Sequence, residues 1–287
     1  YLADEKLRKI QKCKGGLVEG IDSEDILRYL RHEMGHVVNY AYRIYETELW
    51  TSIFGPMARP YNEEFSAVPF SSNFVRHLPG NYAQKHPDDD WAETFAVWIT
   101  PGLDWRQLYE DSPGALRKLE FCERTIKNLC DSNPDVSNIE LDENVDDISY
   151  TLQDFYDPVE LDGLVIPHSL DGDLRGIFSP WSGAPAPGVE TSGLETAVVQ
   201  APVAKDRRGS GGALIRRNQN LLANTSYKWT SVEPGFLHPL LSHLAKRADA
   251  LGLTYPMDER DTVLIELSAF LTTLAMNKVY KGSFFAA

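Results

Sequence analysis

The sequence predicts a mainly α-helical protein in which a linker joins two helical units. Apolar residues recur at intervals of three and four along residues 21–50, and again in three stretches after residue 212. A chain of 287 residues can bury one large core or two modest ones. We therefore expect a first domain at 1–130, a linker or arm at 131–212, and a small helical bundle at 213–287. The linker is indicated by its acidic start and by the Pro, Gly, Ser and Ala content of residues 174–212.

Composition and cysteine content favour a globular cytoplasmic protein. Hydrophobic residues make up 43% of the chain, and no run approaches the ~20 apolar residues that cross a bilayer, so no membrane span is expected. The first residues are charged and lack an apolar signal sequence. Cys13, Cys122 and Cys130 show no CxxC spacing, which argues against a disulfide framework and against a thiolate zinc site.

The negative charge of the chain is concentrated in one band. Residues 131–173 contain thirteen acidic residues and no Lys or Arg, whereas the remainder is nearly neutral. Such a band repels phosphate backbones, so we expect no nucleic-acid partner. The band is typical of a solvated linker. The alternative is a surface for a basic protein partner or a cation.

The elements of the first domain can be assigned in order. Residues 21–50 predict one long helix, with Asp22 or Ser23 as its N-cap. Residues 55–86 carry Pro, Gly, Asn and Ser and predict a long irregular segment over the face of the domain. Residues 86–102 return to a helix that ends at Pro101-Gly102, and residues 112–130 predict a further helix. The apolar positions of the first helix are Ile26, Leu27, Leu30, Met34, Val37, Val38, Ala41, Ile44 and Tyr45.

The first helix contains the motif HEMGH at residues 32–36. Residues four apart lie on the same face of a helix, so His32 and His36 can bind one ion. Glu33 is turned about 100° away and can reach an activated water without being a ligand. Gly35 costs roughly 1 kcal/mol of helix propensity, which is understandable if another backbone or a substrate approaches there. The alternative is a surface helix with two solvated histidines.

A third metal ligand is predicted on the second helix. Catalytic zinc uses three protein ligands and one open position. Glu93 is the preferred candidate, because it lies on a short aromatic-rich helix whose Ala92 and Ala96 permit close packing. The aspartates at 88–90 compete for this role, although at a helix start they can also act as caps or as partners of an imidazole N–H.

The blocks HEMGH and FVRHLPGNYAQKHPDDDWAETFAVWITP together resemble bacterial zinc-binding metallopeptidases of the gluzincin type. The resemblance covers about residues 20–130 and recurs faintly in the tail. It implies a zincin-like catalytic domain with a minimal sheet, an α+β variant of the mainly α class. It also implies zinc ligands at His32, His36 and Glu93, with Glu33 as the base. Only about 22 residues precede the helix that carries the motif, so the usual sheet is minimal, supplied later, or missing from this chain.

Two further residues are candidates for stabilising an oxyanion. In related metallopeptidases a tyrosine lies about two turns before the ligand glutamate, and here Tyr82 and His86 occupy that neighbourhood. Both have ordinary alternatives, Tyr82 in loop packing and His86 as a hydrogen-bonding residue at a helix start. His77 lies in the irregular segment and is a candidate for substrate contact.

The expected function is zinc-dependent hydrolysis of peptide bonds in a peptide or protein substrate. Zinc activates a water, and Glu33 takes its proton and passes it to the leaving amine. Three alternatives remain: a zinc amidase acting on a small non-standard substrate, a non-catalytic protein-interaction module stabilised by zinc, and a protein without metal.

Overall fold

The computed structural model describes residues 5–6, 9, 19–20, 22–61, 65–137, 151, 167–180 and 207–285. These residues are mostly helical with one small sheet, which confirms the mainly α class. The helices of the first unit (residues 22–137) are α1 Ser23–Ala41, α2 Glu48–Phe54, α3 Pro87–Ile99, α4 Trp105–Leu108 and α5 Pro113–Leu129, with short 3-10 turns at Ile44–Glu46 and Tyr82–Gln84. The second unit (residues 167–285) contains α6 Leu170–Ile177, β1 Ser179–Pro180, β2 Arg208–Ser210, α7 Gly211–Arg217, α8 Gln219–Thr230, α9 Pro234–Ala250, β3 Leu253–Pro256, a 3-10 turn at Met257–Glu259 and α10 Arg260–Lys281.

The first helix is shorter than predicted. Asp22 is its N-cap and accepts a hydrogen bond from the Asp25 amide at 2.9 Å, one of the two caps expected. The prediction of one helix over residues 21–50 is wrong, because α1 ends at Ala41 and Arg43 adopts a left-handed backbone with φ of 46°. Thr47 then caps α2 through its side chain. The apolar period continues across the break because both helices pack on the same core.

Helix α1 buries its polar side instead of its apolar side. The buried residues are His32, Gly35 and Asn39. Four apolar residues of the predicted stripe are about half exposed: Leu27 48%, Leu30 52%, Met34 48% and Val37 57%. The helix therefore contacts α3 through His32, Gly35 and Asn39 and leaves much of its apolar stripe in solvent.

Gly35 marks the point of closest approach between α1 and α3. A Cβ added at Gly35 would lie 2.7 Å from the Cα of Ala92, closer than real Cβ contacts. The indole N–H of Trp91 donates to the Gly35 carbonyl at 2.8 Å. The prediction that a second backbone approaches at Gly35 is confirmed, with Ala92 as the residue that permits it.

An aromatic core and a buried ion pair hold α3 against the rest of the first unit. Trp91 and Phe95 on α3 pack with Phe54 and Phe121 in one cluster. Beside it, Asp90 and Lys118 are both buried, and the ammonium of Lys118 lies 2.6 Å from the carboxylate. The same ammonium donates to the Asn73 carbonyl at 2.7 Å. The pair therefore joins α3 to α5 and to the preceding loop.

Replacing Lys118 with Met should destabilise the protein strongly. The change leaves the Asp90 carboxylate buried without its cation, which typically costs about 3–5 kcal/mol. Urea unfolding followed by tryptophan fluorescence measures the loss. Lys127→Met is the matched control on the same helix, because Lys127 is exposed and pairs with Glu123 at the surface, where loss of a pair costs under about 1 kcal/mol. An equal loss of unfolding free energy in the two variants would contradict the assigned role of the buried pair.

The second unit is a helical bundle with a small sheet on its edge. The strand order is β1-β3-β2 and both pairings are antiparallel. The core includes Leu237, Leu241 and Leu244 of α9 together with Leu267 and Leu271 of α10. The described residues of the first unit contain no strand, so the only sheet in the described chain lies after the metal motif.

The described parts of the predicted linker belong to this second core. Leu174 of α6 is fully buried and Phe178 nearly so, and both pack with the bundle. Strand β2 at the end of the predicted linker pairs with β3. The second unit therefore begins before residue 213, the predicted boundary. The apolar stretches in this Pro- and Gly-rich region are too short to show a helical period. Most of the acidic band lies outside the described residues.

One helical stretch is long and apolar enough to cross a membrane. Met257–Lys281 meets this test by length and composition alone. Its residues Val263, Leu267, Leu271 and Leu274 are buried in the bundle core. A helix that fills the core of a globular protein meets the same test.

The loop before α3 contacts the second unit. The Ser231 hydroxyl donates to the Gly80 carbonyl at 2.6 Å, and the Asn81 side chain donates to the Ser231 hydroxyl at 3.1 Å. Gly80 has a φ of 79°, and a Cβ there would lie 2.5 Å from the Tyr227 ring. Only glycine fits at this contact.

Candidate metal centre

Two histidines of α1 meet one aspartate of α3. The Nε2 atoms of His32 and His36 are 3.1 Å apart. The Oδ1 atom of Asp89 lies 3.8 Å from the first Nε2 and 3.7 Å from the second. These three side chains form the group of possible metal ligands found in the described residues. The helix spacing predicted for the histidines is therefore confirmed, and α3 supplies the acid.

Each imidazole has a carboxylate beside its other nitrogen. Nδ1 of His32 lies 2.8 Å from Oε1 of Glu93, and Nδ1 of His36 lies 2.9 Å from Oδ2 of Asp88. A carboxylate at this position accepts a hydrogen bond from Nδ1–H, so the neutral ring presents a lone pair on Nε2. Both lone pairs then point at the same space beside Asp89. The arrangement is that of two ligands and their orienting partners.

Asp88 is itself fixed by α1. It accepts hydrogen bonds from the Asn39 amide at 2.8 Å and from the Tyr40 hydroxyl. Burial would raise the pKa of Asp88, but the bonds from His36, Tyr40 and Asn39 hold the pKa below its usual value. The carboxylate therefore stays charged and keeps the His36 ring in place, one of the roles predicted for this aspartate.

Glu93 occupies a different place from the one predicted. Its Oε1 contacts the Nδ1 of His32, and its Oε2 accepts from the backbone amides of His77 and Leu78 at 3.2 and 2.8 Å. The residue is fully buried, and both oxygens already have donors. The structure thus brings Asp89, one helical turn earlier, to the position expected of Glu93. Sequence spacing could not separate them, because residues four apart share one helix face.

The dimensions of the group fit a zinc ion. Ligands at roughly 2.1 Å from a tetrahedral ion lie roughly 3.4 Å from one another. The three observed separations of 3.1, 3.7 and 3.8 Å bracket that value. The second oxygen of Asp89 is buried and has no hydrogen-bond partner among the described residues. A cation placed between these atoms would contact Oδ1 of Asp89 and both Nε2 lone pairs at once.

The pKa shifts of Asp89 and His36 indicate that protons compete with a metal ion for these two side chains. Burial raises the pKa of Asp89 to about 6. Burial alone would lower the pKa of His36, but Asp88, Asp89 and Glu33 surround it with negative charge and raise the pKa above its usual value. Both groups take up protons as the pH falls. A metal ion needs both groups deprotonated, so its affinity must decrease as the pH falls toward 6 and below.

His86 has a structural position in the described chain. Its Nδ1 accepts from the Asp88 amide at 3.2 Å as the N-cap of α3, and its Nε2 donates to the Arg59 carbonyl at 2.8 Å. Both ring nitrogens are engaged with backbone, and the ring is buried. The geometry gives the alternative role of a helix-start hydrogen bond and leaves no nitrogen for an oxyanion.

Tyr82 lies beside the metal group. Its ring meets the His32 ring edge-on, with 5.4 Å between centroids. Burial and a hydroxyl contact with Tyr61 raise the pKa of Tyr82 well above its usual value, so the hydroxyl keeps its proton. His77 also lies close, but its ring forms a hydrogen bond with the Arg28 carbonyl at 2.9 Å, and its backbone amide donates to Glu93. Tyr82 is therefore the better placed of the predicted oxyanion residues.

A cavity of about 170 Å³ adjoins His32. Its walls include Glu33 and Tyr82, together with three residues that the sequence did not indicate. These are Glu19, Tyr29 and Tyr227, the last of which comes from α8 of the second unit. Burial raises the pKa of all three. No local pattern could have identified Tyr227, because the contact spans about 150 residues of chain.

Comparison of this chain with protein-family models, with curated proteins and with solved structures found no match. The resemblance to gluzincin-type metallopeptidases therefore stays an expectation carried by the two motif blocks.

Proposed function

We propose that this chain is a zinc-dependent hydrolase that cleaves peptide bonds. His32, His36 and Asp89 would hold the ion, Glu33 is the general base, and Glu93 and Asp88 are the orienting partners of the two histidines. This ligand set replaces the predicted Glu93 with Asp89, because both oxygens of Glu93 are occupied by His32 and by backbone amides.

One observation carries the proposal. Two Nε2 atoms lie 3.1 Å apart, while each Nδ1 faces its own carboxylate. Two facing lone pairs repel each other unless a proton or a cation lies between them. The nearby buried carboxylate of Asp89 adds the negative charge that favours a divalent cation over a proton. Two imidazoles and one carboxylate are a ligand set of catalytic zinc sites.

The surroundings favour catalysis over a purely structural metal. Structural zinc sites are closed by four protein ligands, whereas three side chains converge in the described part of this chain. The cavity adjoins His32 and contains Glu33, so substrate and base can meet there. Glu33 is exposed and free to accept a proton. These features disfavour the alternative of a non-catalytic zinc module.

The proposed chemistry assigns one role to each of these side chains. When bound, zinc would supply Lewis acidity that polarises a substrate carbonyl and lowers the pKa of water. Glu33 accepts a proton from the attacking water, and the oxygen of this water bonds to the carbonyl carbon. The neutral hydroxyl of Tyr82 donates a hydrogen bond to the developing oxyanion. When the C–N bond breaks, Glu33 delivers its proton to the leaving nitrogen, so the water is divided between the new acid and the new amine.

Metal content and cleavage of unstructured peptides test the proposal together. We expect one zinc per chain after dialysis at pH 7.5, with much weaker binding at pH 5.5, where Asp89 and His36 take up protons. Mass spectrometry of a mixed peptide library should reveal new termini that disappear when the metal is removed and return when zinc is restored.

The outcomes separate the alternatives. Zinc without cleavage of peptides or of small amides would favour the interaction module. Cleavage restricted to small non-peptide amides would favour the amidase. Protein that binds no zinc at pH 7.5 would contradict every function that depends on zinc.

A further inference from the structure

The cavity beside His32 has an unusual chemical lining. Two carboxylates, Glu19 and Glu33, share it with the rings of Tyr29, Tyr82 and Tyr227. Within the described residues no Lys or Arg lines it. Lys85 stacks on the ring of Tyr82 with 5.1 Å to the centroid but does not belong to the lining. The cavity therefore combines carboxylates with aromatic side chains.

Glu19 has no part in the hydrolytic chemistry. It precedes α1 and is half-buried, and the negative charge of Glu33 acts on it. Two carboxylates that line one cavity repel each other, and a bound cation relieves this repulsion. The adjacent Gly20 amide donates instead to the Asp25 side chain at 2.8 Å, which fixes the backbone next to Glu19. The acid is thus held at the cavity wall by the start of the metal helix.

The aromatic side chains of the cavity also suit a cation. The faces of tyrosine rings attract cations, and the effect grows when the cation is removed from water. The three tyrosines keep their hydroxyl protons because burial raises each pKa. They therefore add aromatic rings and hydroxyl groups to the lining without adding charge.

We propose that this cavity is a substrate subsite for a protonated amine, with Glu19 as the residue that selects it. The amine belongs to the peptide being cleaved, either as its free amino terminus or as a lysine side chain. This inference rests on the proposed peptide hydrolase and assigns its substrate class. Glu33 handles the proton of the water, while Glu19 binds the charge of the substrate.

Binding of matched peptides to the zinc-loaded protein tests the subsite. The peptides carry N-methylated backbone amides, so that they are bound without being cleaved. One pair compares a blocked tripeptide containing lysine with its norleucine counterpart, and a second pair compares a free with an acetylated amino terminus. In the wild type the cationic member of at least one pair should bind roughly tenfold or more tightly, as expected for a hydrogen bond between charged groups.

The Glu19→Gln variant should abolish this preference while leaving the neutral peptides unaffected. Glu120→Gln is the matched control, because Glu120 is exposed on α5 and the net charge changes by the same amount. Zinc content and circular dichroism establish that both variants are folded and loaded. Equal binding of cationic and neutral peptides by the wild type, or an unchanged preference in Glu19→Gln, would overturn the inference.

The unmethylated peptides separate this inference from the proposed function. If they are cleaved with no preference for a cation, the subsite is wrong and the hydrolase stands. If the preference is present and no peptide is cleaved, the cation subsite stands and the hydrolase is wrong.

Discussion

Replacing Glu33 with Gln should abolish most of the hydrolytic activity while leaving the metal in place. Glutamine has the shape of glutamate but cannot accept the proton of the attacking water. General-base catalysis is typically worth about 10²–10⁴ in rate, so kcat should fall by about that factor. Glu33 is exposed and lies outside the ligand group, so the variant should fold and bind zinc normally. Steady-state kinetics and metal analysis on the same preparation measure both properties.

Glu24→Gln provides the control for this experiment. Glu24 lies in the first turn of the same helix and is exposed, so its replacement changes the net charge equally without touching the cavity. Wild-type turnover is expected for this variant. A Glu33→Gln protein that cleaves peptides as fast as Glu24→Gln would eliminate Glu33 as the base.

The second large effect concerns the choice between Asp89 and Glu93. Asp89→Asn should remove most of the zinc affinity, because it takes away a charged ligand from a buried site. Glu93→Gln should cause a smaller loss, roughly 10–100-fold, as is typical when the partner of a metal-bound histidine is changed. Competition with a chromophoric chelator measures both constants. Both side chains keep their size in these variants, so packing between α1 and α3 is preserved.

The ranking of the two variants decides the assignment. If Glu93→Gln loses zinc while Asp89→Asn keeps it, the third ligand is Glu93, and the coordination inferred from the distances is wrong. X-ray absorption of the zinc-loaded protein provides an independent reading of the ligand atoms.

Local spacing was sufficient to predict the histidine pair and its surroundings on α1. The i and i+4 positions of His32 and His36 depend only on helical geometry. Gly35 could be recognised because its cost in helix propensity needs a tertiary cause, which is the close approach of Ala92. These features lie within one helix and its nearest neighbour.

The third ligand depended on information that one helix does not contain. Asp89 and Glu93 lie on the same face of α3, and the deciding factor is the backbone of residues 77–78, which occupies Glu93. The buried face of α1 also departs from the usual pattern, in which an apolar stripe lies on the buried side of a helix. Here Leu30 and Val37 are exposed, while His32 and Asn39 are buried against α3 and form hydrogen bonds with its carboxylates.

The contacts of Gly80 with the second unit have a practical consequence for dissecting this protein. Residues 77–81 hold Glu93 at one end through the amides of His77 and Leu78, and rest on Tyr227 and Ser231 at the other. A fragment shortened to end at residue 137 would keep every proposed zinc ligand. It would nevertheless lose the support that keeps this loop against Glu93, so an inactive fragment would say nothing about the ligands themselves.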